Sequence, residues 1–199
     1  MRRLHLSALP LLLAVAACGA QVGSPYPLPD GGSALRWGDG PYGVVLVAEE
    51  GREAASWDAQ ARAIADERIT VVALQDADAT LIREAILALR DDGVERVAVL
   101  AAGSATGPAL ELGTQEPELV DQLILLTAGG DVSRLGVFPK LFVASQADAA
   151  ETERMAAEAP GDWNAVFFVP GDARGQAILE GEARGEALDA ILQRLEERR

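Results

Sequence analysis

Apolar and polar positions alternate between two periods along this chain. Uninterrupted runs rich in Val, Ile and Leu occupy residues 42–48, 69–74, 97–102, 122–127, 141–145 and 165–169. Short runs of this kind, bounded by turn residues, suit strands buried on both faces. Between them apolar side chains recur at helical spacing. One helix is expected over 57–68 behind Ser56 as its N-cap. A second starts at Asp78 or Thr80, gathers Leu81, Ile82, Ala85, Ile86 and Leu89 on one face, and stops at Gly93. A third opens after Ser104 with Pro108 near its first turn and ends near Gly113. Two more cover 150–158 and 186–197, the last with Leu188, Ile191, Leu192 and Leu195 on its inner face. Buried strands alternating with amphipathic helices predict an α/β fold, a three-layer α/β/α sandwich around a mostly parallel sheet of about six strands.

The 199 residues suffice for one such domain, placed over 42–199, with appendages before it. Residues 18–41 hold Pro25, Pro27, Pro29 and Pro41 among several glycines, a composition expected of a tether without regular packing. Trp37 and Tyr42, at its far end, are placed to dock onto the domain.

The first residues have a different character. Arg2 and Arg3 precede an apolar stretch over 4–17, broken only by His5, Ser7 and Pro10, which is too short to span a bilayer and has the form of a signal peptide. It ends in Val15-Ala16-Ala17-Cys18, which resembles the bacterial lipobox. The resemblance implies a lipoprotein signal peptide over 1–17 and acylation of Cys18. The mature chain would then be exported and held by its lipid at the outer face of the plasma membrane, or in the periplasm or outer membrane. Several acyl chains on one cysteine anchor firmly, at roughly 0.8 kcal/mol per buried methylene.

Processing at Cys18 removes Arg2 and Arg3 and takes the net charge from −14 to −16, which argues against nucleic acid as a partner. It also removes His5, the only histidine. Lys140 is the only lysine.

Parallel sheets carry their sites at the carboxyl ends of the strands. The residues following the expected strands are Glu49 and Glu50, Gln75 and Asp76, Ser104, Asp131, Gln146 to Asp148, and Asp172 to Arg174. The stretch 96–108 reads as strand, small-residue turn and helix, with Ser104 in the turn, the layout of a nucleophile elbow. With that turn the chain resembles the α/β-hydrolase superfamily over most of 42–194. Where that family has Gly-x-Ser-x-Gly, this chain has Ala102-Gly103-Ser104-Ala105-Thr106. Asp148, at the end of its strand, stands where the resemblance puts the triad acid. Arg174-Gly175 stands where the family commonly has His-Gly.

Those departures bear on the chemistry. A serine hydroxyl needs an adjacent base to become a nucleophile. Arginine stays protonated and cannot accept the proton. Lys140 precedes its strand and so belongs at the opposite edge of the sheet from Ser104. After the first strand the family supplies backbone N–H groups for an oxyanion, and two carboxylates, Glu49 and Glu50, oppose charge developing there. Thr106 puts a β-branched side chain where a tight turn wants none.

Ser104 and Asp148 therefore read as vestigial triad positions, with Arg174 in place of the histidine and an Asp148–Arg174 ion pair expected within ~4 Å. The sequence favours a membrane-anchored pseudo-hydrolase that binds a small ligand or an envelope protein. The alternatives are a weak or unconventional serine esterase working through Ser104 and a purely structural lipoprotein. No cofactor is implied, since 103–107 fits neither phosphate-binding fingerprint. The strand-end acids (Glu49, Glu50, Asp76, Asp78, Asp131, Asp148 and Asp172) have the chemistry for Ca²⁺ but no metal-loop spacing. Zinc lacks ligands once His5 is removed and Cys18 acylated.

Overall fold

The computed structural model describes residues 22–29 and 31–197. The signal peptide expected over 1–17 and the lipidation site Cys18 lie outside the described residues.

Among the described residues eight strands form one sheet: β1 (Ser24–Pro27), β2 (Ser33–Trp37), β3 (Tyr42–Val47), β4 (Ile69–Leu74), β5 (Arg96–Ala102), β6 (Gln122–Leu126), β7 (Lys140–Ser145) and β8 (Asn164–Val169). Their order is β1-β2-β4-β3-β5-β6-β7-β8. β1 pairs antiparallel with β2, and β2 antiparallel with β4. All other neighbours are parallel. Every residue of β3, β4, β6 and β7 is buried, as their uninterrupted apolar runs require.

Among the described residues five α-helices cover the sheet: α1 (Asp58–Asp66), α2 (Ala79–Asp91), α3 (Thr106–Gln115), α4 (Ala149–Glu158) and α5 (Arg184–Glu196). They divide the core in two. Val45, Val47, Val99 and Leu125 face Ile82, Ile86, Leu89 and Leu112 of α2 and α3, with Met155 of α4 on the same side. Val44, Leu46, Leu100 and Val143 face Ile64 of α1 and Ile191 and Leu195 of α5. The three layers are those expected from the alternation of runs and helical stretches.

One local reading changes and another narrows. Ser56 lies in a 3-10 turn over Ala54–Trp57, where its hydroxyl donates to the Glu53 carbonyl, so it does not cap α1. Asp78 does cap α2, accepting from the Thr80 and Leu81 N–H groups at 2.8 and 3.3 Å.

The larger difference is the sheet's extra strands. β1 and β2 come from the stretch expected to be an irregular tether. Proline cannot donate to a ladder, but an edge strand leaves half its N–H groups unused, so Pro25 and Pro27 are compatible with β1. Side chains fasten the pair to the domain. Trp37 is buried and its indole N–H donates to Asp58 at 3.0 Å. Arg36 and Tyr26 both donate to Asp92 just past α2, at 2.6 and 3.0 Å.

Candidate functional site

The chain runs from β3 outward to β4 on one side and back to β5 on the other, so β3 is where the strand order reverses. The crevice at the carboxyl ends of β3 and β5 is the expected place for a site. A cleft of about 580 Å³ lies there, lined among others by Glu50, Arg52, Gln75, Asp76 and Ser104.

The turn after β5 has a definite backbone geometry. Ala102 is extended, and Thr106 is already helical at φ −63°. The sharp reversal between them falls on Gly103, at φ 52°. That is the left-handed region, which glycine enters without a Cβ penalty. Ser104 is the next residue, inside the 3-10 turn that leads into α3. The strained apex of the elbow is therefore Gly103. Ser104 is solvent-exposed, and its Oγ accepts the Glu50 N–H at 2.8 Å, joining the loop after β3 to the elbow. Thr106 causes no strain: it is the first residue of α3, and its hydroxyl donates back to the Gly103 carbonyl at 2.8 Å.

The space beside the apex is filled. A methyl group placed on Gly103 would overlap Oε2 of Glu49, and one on Gly175, also left-handed at φ 54°, would overlap the same oxygen. The carboxylate of Glu49 thus lies against both bare backbones. Arg52 fixes it through Nε at 3.0 Å and reaches on to Glu180 with both terminal nitrogens, at 2.5 and 3.1 Å. Glu180 holds the Arg52 guanidinium above its ordinary pKa, so this cation is permanent. From the other side the Gly175 N–H donates to Thr127 Oγ1 at 3.0 Å, and Thr127 itself is left-handed at φ 53°.

Asp148 follows β7 and Arg174 follows β8, and their side chains meet. Arg174 donates from Nε to Oδ2 at 2.9 Å and from a terminal nitrogen to Oδ1, a two-pronged pair of the expected kind. The carboxylate raises the arginine pKa, reinforcing its inability to act as a base. Asp148 is mostly covered, with 15% of its side chain accessible, whereas Arg174 is 69% exposed. Neither lines the cleft beside Ser104. Ser104 is brought together with Glu49 and Glu50, and Asp148 with Arg174.

Lys140 opens β7 and is fully buried at the opposite, amino edge of the sheet. Its Nζ donates to the carbonyls of Gly136, Phe138 and Pro160 at 2.8, 2.7 and 2.6 Å. Among the described residues no group of three or more His, Cys, Asp or Glu is arranged to hold a metal ion.

Solved structures place this architecture. A hydrolase from Thermoplasma acidophilum, described as CIB-like, aligns with a TM-score of 0.66 at 14% identity, covering 86% of this chain and 97% of that one. An esterase from Exiguobacterium antarcticum aligns at 0.66 and 12%, over 87% and 99%. A monoacylglycerol lipase from Paleococcus ferrophilus aligns at 0.70 and 10%, over 88% and 100%. The fold is the α/β-hydrolase fold. No family model and no curated protein matches the sequence.

In an α/β-hydrolase elbow the nucleophile occupies the strained apex and the following N–H serves the oxyanion. Here the apex residue has no side chain, and the serine stands one position later. The sequence held a signal for this. Small residues two positions either side of the apex suit Gly103, flanked by Ala101 and Ala105, better than Ser104, flanked by Ala102 and the branched Thr106. The contacts of Glu49 with Gly103 and Gly175 had no such signal, because they join three separate loops.

Proposed function

We propose that this protein is a membrane-anchored lipoprotein with an α/β-hydrolase fold that binds a small ligand or an envelope protein and does not hydrolyse esters. The observation that carries this reading is Gly103 at the elbow apex with the Glu49 carboxylate beside it. A nucleophile needs a reacting atom at the apex, a base to take its proton and donors facing the developing oxyanion. The apex supplies no atom. The adjacent hydroxyl, Ser104, is engaged by the Glu50 N–H, and Asp148 is paired with an arginine and accepts from the Ser145 hydroxyl. A negative carboxylate against the apex raises the energy of an anionic intermediate. Each element of acyl transfer is missing independently, so restoring one leaves the others absent. The fold and the crevice remain as a scaffold, and fold by itself prescribes no reaction. Anchoring rests on the lipobox-like Val15-Ala16-Ala17-Cys18.

The test is ester hydrolysis by the purified full chain and its Ser104→Ala variant on p-nitrophenyl acetate and butyrate. Both proteins are expected to leave the buffer rate unchanged. Turnover by the parent that is abolished by Ser104→Ala would overturn the reading in favour of an esterase.

A further inference from the structure

The two edges of the sheet are built differently. β1 carries Pro25 and Pro27, which blunt an edge against further pairing. Among the described residues β8 ends the sheet on the other side and pairs only with β7, and it contains neither proline nor a charged residue. Three of the exposed large apolar side chains belong to this edge or to the turn before it. They are Trp163 just before β8, Val166 within it and Val137, whose backbone abuts Gly161 in the turn that leads into β8, with 58%, 39% and 75% of their surface exposed. Ala165 and Phe167 pack on the α5 side, so by strand alternation Val166 and Phe168 project to the other face. An open strand edge takes another strand, because its free N–H and C=O groups are regularly spaced donors and acceptors.

We propose that β8 pairs antiparallel with β8 of a second copy of this chain, extending the sheet through a two-fold axis. An axis perpendicular to the sheet at Val166 keeps the two faces in register. It sets Val166 beside the partner's Val166 and Phe168 beside the partner's Asn164, on the same face. Charge favours this seam for self-association. In a chain of net charge −14, residues 163–170 hold no charged side chain, so the paired segments of two acidic molecules set no like charges opposite one another, and Asp162 and Asp172 lie just beyond their ends. The proline-blunted edge at β1 offers no equivalent pairing.

The experiment is light scattering of the full chain in mild detergent, for the parent and for Val166→Lys, together with amide hydrogen exchange of the parent across a dilution series. The expected result is a parent of twice the chain mass, a Val166→Lys variant of single mass, and exchange of the β8 amides that quickens on dilution. A parent that stays monomeric at every concentration overturns the proposal. So does a dimer that survives Val166→Lys with β8 exchange independent of dilution. If Val166→Lys fails to fold, the dilution series on the parent decides alone.

Discussion

At the residue scale, Glu49, Gly103 and Gly175 form one unit. The left-handed backbone at Gly103 costs an L-residue roughly 1–2 kcal/mol, and overlap with Glu49 adds to it. Gly103→Ala is therefore expected to lower the urea unfolding free energy by about 2–3 kcal/mol. In a Glu49→Ala background the loss should shrink by at least about 0.5 kcal/mol, because the overlap is relieved while the dihedral strain remains. A purely additive cycle would show that the carboxylate does not occupy the apex space. Arg174 behaves differently. It is exposed, so Arg174→Ala is expected to change stability by less than about 1 kcal/mol. Arg174→His should generate no esterase activity, since a base opposite an empty apex has no hydroxyl to deprotonate. A p-nitrophenyl ester assay checks the second statement and denaturation the first.

The elements differ in how they are held. Each parallel crossover but one carries a helix; the connection from β6 to β7 does not, and the lysine at its end takes over the fastening. Lys140 draws the carbonyls of Gly136, Phe138 and Pro160 onto one ammonium, tying that connection to the turn before β8. Arg194 of α5 donates to the carbonyls of Lys140 and Trp163 beside it. Lys140→Met fills the volume but leaves three half-buried acceptors unpaired, at about 1 kcal/mol each, so a net loss of about 3 kcal/mol is expected. Burial pushes the Lys140 ammonium down from 10.5 to about 8. Between those values the unfolded chain binds a proton that the native one has released, so this residue's contribution makes stability rise with pH across the window. Below it both states are protonated and the contribution is flat. Urea midpoints of the parent relative to Lys140→Met should therefore climb from pH 8 to 10.5, and a flat difference would contradict the assignment.

For the whole molecule, the alternation of buried runs with amphipathic stretches was enough to read the parallel sheet and its helices, because strands buried on both faces leave little ambiguity of period. β1 and β2 were not legible. Their prolines and glycines speak for irregular chain, and only the position at a sheet edge, a long-range property, makes them compatible with strands. The elbow was legible as a place and misread by one residue in register, since small residues on both sides of the turn look alike until a φ angle distinguishes Gly103 from Ser104. Anchoring belongs to this scale as well. With Cys18 acylated, metabolic labelling with a tagged palmitate should mark the full chain in a bacterial host. Cys18→Ser should abolish the label and move the protein out of the membrane fraction, and a label that persists in Cys18→Ser would refute the site. Whether the elbow presents a nucleophile is read directly by intact mass spectrometry of the full chain after incubation with a fluorophosphonate. With Gly103 at the apex the mass is expected to stay unchanged; a single phosphonyl adduct mapping to Ser104 would contradict the proposed loss of esterase chemistry.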